Sequence, residues 1–222
     1  MIPLEHLDSA QIPGGDELRL MRRGADFMIV LDRNELMNSR MSGSEEALAL
    51  MTLERLADLP APHMLIGGYG MGFTLRAALG AAGPDAVVTV AEIVPKILDW
   101  ARGPMAAMTG NCLDDPRLIL QETDVAHLIA RGSERYDAVL LDVDNGPDGL
   151  VRDANHRLYS RDGLAAARRA LAPGGILAIW SAAPDERFRA RLRKAGFDVD
   201  EVVVRARSNG KGPRHVIWFA RK

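Results

Sequence analysis

From His63 onward, short apolar runs alternate with stretches of helical pattern, and this alternation constrains the fold more than any other feature of the chain. The runs are His63-Met64-Leu65-Ile66, Ala86 to Glu92, Arg117-Leu118-Ile119-Leu120, Tyr136 to Asp142 and Ile176 to Trp180. Helical stretches lie between them: Thr74 to Leu79, one starting at Pro95, Val125 to Ala130, and Asp162 to Leu171, stopped by Pro173-Gly174-Gly175. Strands that are apolar on both faces and joined by helices build a parallel sheet covered on both sides. After a helix from Asp185 to Gly196 come two further runs, Glu201 to Arg207 and His215 to Ala220, with only Ser208 to Pro213 between them. No helix fits in that loop, so these two must pair antiparallel.

The expected fold is therefore α/β: a doubly wound, mostly parallel, seven-stranded sheet ending in an antiparallel hairpin, Rossmann-like and of the class I methyltransferase type. Ahead of it, residues 1–42 read as a small β ribbon of three short runs: Glu17 to Arg22, Phe27 to Leu31 and Glu35 to Ser39. So small a ribbon must pack on the main domain or on another subunit. Ser44 reads as the N-cap of a helix carrying Leu48, Met51, Leu53 and Leu56, which ends at Leu59-Pro60-Ala61-Pro62. Residues 43–222 are expected to form the nucleoside-binding catalytic domain.

With 28 Lys+Arg against 30 Asp+Glu, the net charge of −2 gives no general attraction to nucleic acid or to anionic membranes. Cys112 is alone, which excludes a disulfide framework and a thiolate zinc site; no metal is expected. Lacking a signal-peptide pattern or a membrane-length apolar stretch, the chain is expected to be cytoplasmic.

Four sites carry chemistry. Ile66-Gly67-Gly68-Tyr69-Gly70-Met71-Gly72 follows a strand and opens a helix. Gly68, Gly70 and Gly72 let the backbone turn sharply and approach a ligand, and the helix N-terminus favours a carboxylate. A dinucleotide loop would place its third glycine at Phe73, so an amino-acid-bearing nucleoside fits this spacing better than a pyrophosphate. Glu92, ending the second strand, can accept from both ribose hydroxyls, and Asp124, just past the third, from an adenine amine. Ile93 and Val125, the next residues along, are expected at the same nucleoside site. After the fourth strand comes Asp142-Val143-Asp144-Asn145-Gly146-Pro147, facing the reactive part of the ligand. An amine is protonated at neutral pH and must lose a proton before it attacks carbon, so Asp142 is the expected base. Asp144, Asn145 and Tyr69 are the expected acceptor-binding residues. Trp180 also sits at a strand end, where packing competes with a pocket role. The scattered histidines form no pair at ligand spacing.

These residues resemble the spermidine synthase family, the polyamine aminopropyltransferases. Ile66 to Arg76 is similar to the family's glycine segment, Ala91-Glu92-Ile93-Val94-Pro95 to its acidic strand end, and Tyr136 to Pro147 to its catalytic loop. Leu158-Tyr159-Ser160, Leu171 to Gly175 and the ribbon around Leu31-Asp32 are similar as well. Met71 replaces the family's loop Asp, Asn145 the second Asp of its pair, and Leu164 a tyrosine; Glu45-Glu46-Ala47 stands where the family has Tyr-His-Glu. The nucleoside half carries over and the diamine half is rewritten. The resemblance implies a homodimer that uses S-adenosylmethionine or its decarboxylated form as co-substrate to alkylate a small amine by aminopropyl transfer. A methyltransferase acting on a small acceptor and a non-catalytic nucleoside-binding protein are the alternatives.

Overall fold

The computed structural model describes residues 2–143 and 156–222, so the expected acceptor residues Asp144 and Asn145 lie outside the described residues. At the start, β1 (Glu5–Gln11), β2 (Glu17–Arg23), β3 (Asp26–Leu31) and β4 (Asn34–Asn38) form an antiparallel sheet in that order. The last three match the expected runs, and β1 has no counterpart among them. That strand has no β-branched residue, and its pairing with β2, such as Ala10 opposite Leu18, supplies what propensity does not.

Helix α1 (Gly43–Glu54) follows. Its N-cap is Ser42, without a side-chain cap bond, and not Ser44 as the sequence suggested. Ser44 lies inside the helix, fully buried, and spends its hydroxyl on Glu45. Gly43 explains the shift: its N–H donates to the Ala206 carbonyl at 2.9 Å, and a Cβ there would lie 2.4 Å from the Arg207 carbonyl carbon. Only glycine lets the helix start this close to another backbone.

The main sheet is laid down by β5 (His63–Gly67), α2 (Phe73–Ala81), β6 (Val87–Glu92), α3 (Pro95–Arg102), α4 (Ala106–Thr109), β7 (Leu118–Glu122), α5 (Val125–Arg131) and β8 (Tyr136–Leu141). It continues with α6 (His156–Tyr159), α7 (Arg161–Ala170), β9 (Leu171–Ser181), α8 (Glu186–Lys194), β10 (Asp198–Arg205) and β11 (Arg214–Arg221). Strand order is β10-β11-β9-β8-β5-β6-β7. The strands from β9 to β7 are parallel, and β11 runs antiparallel to both its neighbours, β9 and β10. This is the expected seven-stranded fold. One boundary differs: β9 begins at Leu171, opposite Tyr136, and its register shifts before Ile176 reaches Ala138. Pro173-Gly174-Gly175 thus makes an irregularity within the strand, with Gly174 at φ 75°, rather than ending the preceding helix ahead of a later strand.

Alternate residues of each central strand serve opposite faces. Met64, Ile66, Val88, Val90, Leu140 and Ala178 pack beneath α1, α2, α3 and the ribbon. Leu65, Val139, Leu141, Leu177, Ile179 and Trp218 pack with residues of α5, α7 and α8. Each large side chain so buried contributes on the order of 1.5–3 kcal/mol. The ribbon docks on its own chain: Leu20, Ile29 and Leu31 share a cluster with Ile97, Leu98 and Trp100. Trp100 Nε1 donates to Asp8 Oδ2 at 2.9 Å, and Lys96 Nζ lies 3.1 Å from the same oxygen. No helix among the described residues is long and apolar enough to cross a membrane.

Candidate active site

Strand order reverses at β5, whose neighbours β6 and β8 carry the chain away in opposite directions. In such sheets the crevice at the carboxyl ends of the strands is where ligands bind. Here the loops after β5, β6, β7 and β8 enclose a cavity of about 190 Å³, roofed by the ribbon. Gly68, Gly70, Glu92, Ile93, Asp124, Val125 and Asp142 all line it. Seven of the expected site residues, drawn from four separate loops, therefore share one space.

The glycine loop is shaped by φ values of 83°, 56° and 75° at Gly68, Gly70 and Gly72. At Gly70 the left-handed backbone favours glycine, and a Cβ would also lie 2.9 Å from Met37 Sδ, at the flexible end of a roof side chain. Gly72 caps α2 from the left-handed region. Tyr69 donates its N–H to Glu92 Oε2 at 2.8 Å, while Val94 N–H donates to Oε1 at 2.8 Å. Glu92 is thus the tie between the glycine loop and the turn into α3. Each carboxylate oxygen has a second lone pair, which is what two ribose hydroxyls would need. Burial pushes the Glu92 pKa up, against the lowering effect of these backbone donors.

Asp124 does two things. Its Oδ1 accepts from Ala126 N–H at 2.8 Å as the N-cap of α5, and the residue lines the cavity. Tyr69 turns its hydroxyl to Cys112 Sγ at 3.4 Å, beneath Gly72, and lines a smaller adjoining cavity with Gly70, Glu45 and Asp142. Asp142 emerges just past β8. Burial raises its pKa well above the ordinary carboxylate value, and the negative charge of Glu45 adds to the rise.

Glu45 is a cavity residue to which the sequence assigns no role. It lines both cavities and is 9% exposed, yet in the sequence it is one of two acids in a helix's first turn, where acids are common for their effect on the helix dipole. The sequence marks it only as a departure from the family's Tyr-His-Glu, and Asp142, which lines the same cavities, lies far along the chain. The ribbon supplies an apolar wall of Ile12, Leu18, Ile29, Leu36 and Met37, and β9 supplies Trp180. The runs Glu17 to Arg22 and Phe27 to Leu31 mark two strands without showing that their apolar side chains face a cavity.

The chain is 29% identical over 193 residues to a polyamine aminopropyltransferase of Mycobacterium tuberculosis, covering 82% of this chain and 35% of the relative. It is 34% identical over 188 residues to polyamine aminopropyltransferase 2 of Streptomyces coelicolor, covering 80% and 33%. It therefore spans about a third of the length of these curated relatives. No family model matches the chain. Among solved structures, spermidine synthase from Thermotoga maritima superposes with a TM-score of 0.77 at 18% identity, covering 98% of this chain and 72% of the other. A spermidine synthase in complex with the transition-state analogue AdoDATO gives 0.75 at 17% identity, over 98% and 72%. The solved structures share the fold and the curated relatives share the sequence over four fifths of this chain, so the chain is similar to the spermidine synthases in fold and to the polyamine aminopropyltransferases in sequence.

Proposed function

We propose that the chain transfers an aminopropyl group from decarboxylated S-adenosylmethionine to a small amine. One observation carries the reading: the glycine loop, Glu92, Asp124 and Asp142 line a single cavity at the carboxyl edge of the sheet. The names of the similar polyamine aminopropyltransferases and the transition-state analogue bound to one spermidine synthase of the same fold support it. Glu92 accepts from the ribose hydroxyls, and Asp124 accepts from the adenine amine. Gly68 and Gly70 allow the donor's tail to lie against the backbone. Asp142 holds the acceptor's ammonium and takes its proton. The freed nitrogen lone pair then attacks the propyl carbon attached to sulfur. The C–N bond forms as the C–S bond breaks, and the electron pair passes to sulfur, neutralising the sulfonium and releasing methylthioadenosine. A carboxyl whose pKa is raised by burial is better matched to accepting that proton than an exposed aspartate. A cytoplasmic homodimer belongs to the same reading, supported by the family likeness.

Incubation with decarboxylated S-adenosylmethionine, and separately with S-adenosylmethionine, across a panel of amines tests this directly. Methylthioadenosine from the decarboxylated donor is expected. S-adenosylhomocysteine would instead mark a methyltransferase, and binding without turnover would mark a nucleoside-binding protein.

A further inference from the structure

Two acids, the buried Glu45 and the half-buried Asp142, line the same two cavities, and among the described residues neither makes an ion pair. A buried carboxylate without a counter-charge is costly, and two that repel each other are costlier still. The fold nevertheless holds the Glu45 carboxylate through a relay of two hydrogen bonds. The Ser44 hydroxyl, fully buried, donates to Glu45 Oε2 at 2.7 Å. That uses the hydroxyl's single proton, so its lone pair accepts from His215 Nδ1–H at 2.9 Å, which sets the imidazole tautomer. His215 comes from β11 and sits edge-on to Trp180, with ring centroids 4.7 Å apart. Trp180 lines the larger cavity, is 8% exposed, and leaves Nε1 buried with no hydrogen-bond partner among the described residues. A buried donor of this kind marks a place where a polar ligand atom belongs.

We propose that Glu45 is a second carboxylate of the acceptor subsite, positioned by Ser44 and His215, so that the acceptor's ammonium is held by both Glu45 and Asp142. This rests on the aminopropyl-transfer reading and extends it: the acceptor's reacting end is a compact cation such as a primary ammonium. Asp142 removes the proton, and Glu45 keeps one negative charge beside the nitrogen. Ser44 and His215 touch no substrate. They are positioning residues, restricting a side chain with three rotatable bonds to one arrangement.

Calorimetry with methylthioadenosine-loaded protein and either 1,4-diaminobutane or n-butylamine tests the proposal, alongside steady-state kinetics. Glu45→Gln should weaken amine binding and raise the acceptor KM about 10- to 100-fold, as expected for losing a hydrogen bond to a charged group. Methylthioadenosine affinity should stay within about 3-fold, since the ribose and adenine are assigned to Glu92 and Asp124 and not to Glu45. His215→Ala should weaken amine binding about 3- to 10-fold, and His215→Asn, whose amide can replace the Nδ1–H donor, should restore it. A purely structural role for His215 would predict no such rescue. Unchanged amine affinity in Glu45→Gln overturns the proposal. So does a wild-type protein that binds methylthioadenosine and neither amine, a result that leaves the nucleoside site standing. Failure to bind methylthioadenosine itself overturns the functional reading and this proposal with it. Should Glu45→Gln not fold, the His215 pair decides the matter alone.

Discussion

At the scale of single residues, the site trades stability for chemistry. The raised pKa of Asp142 means that the folded chain keeps a proton which the unfolded chain has already lost. Stability therefore falls as pH climbs from the ordinary carboxylate range, near 4, toward the folded-state value. Glu45, raised by burial and by Glu46, and Glu92 act in the same direction. His215 and His63 act oppositely: burial lowers both, so each disfavours the fold as pH drops below about 6.5. Asp142→Asn should accordingly raise the melting temperature at neutral pH, by about 2–4 °C per kcal/mol relieved, and flatten its decline toward alkaline pH. The same change should abolish turnover while leaving nucleoside affinity within about 3-fold, because it removes only the base. Thermal melts across pH together with turnover assays check both halves; surviving turnover would assign the base elsewhere. Glu92→Gln has another signature. An amide cannot accept on both ends, so one of the Tyr69 and Val94 N–H groups loses its partner. We expect about 1–3 kcal/mol lost from stability and a fall of about 10- to 100-fold in methylthioadenosine affinity by calorimetry.

At the scale of elements, α1 depends on a contact far away in sequence. Because Gly43 abuts the backbone of Arg207 and Ser208, Gly43→Ala must push the helix start off the β10–β11 loop. A cost of about 1–3 kcal/mol is expected from such overpacking. Since Glu45 rides on that turn, acceptor KM should rise more than kcat falls, and kinetics beside a denaturation curve would show it. This element also shows where sequence reading stops. The glycine loop, Glu92 and Asp124 were legible because each lies at a strand end at a recognised spacing from the last. The buried strands were legible because their apolar runs are continuous. Ser44 looked like a cap because serine before two acids usually is one, and nothing local shows that residues 206–208 crowd the position. Glu45 and His215 were illegible for the same reason: their meaning comes from Asp142 and Ser44, brought to them by sheet topology.

For the whole molecule, the ribbon is a roof whose attachment is partly polar. Trp100→Phe keeps the buried ring and removes the hydrogen bond to Asp8, at a cost of about 1 kcal/mol. Amides of β1 to β4 should then exchange with solvent faster while those of β5 and β8 are unaffected, and hydrogen-exchange mass spectrometry resolves the two sets. Equal acceleration in both would mean that the ribbon and the sheet unfold as one. Strand β11 sets a different condition, on the order of assembly. It follows β10 in the chain yet lies between β10 and β9. A growing chain that has made β10 has nowhere to put it, and the edge of β9 stays open until residues 214–221 arrive and insert. His215 travels on that strand, so a polypeptide emerging from the ribosome can shape the crevice at the sheet's carboxyl edge before it can fix Glu45.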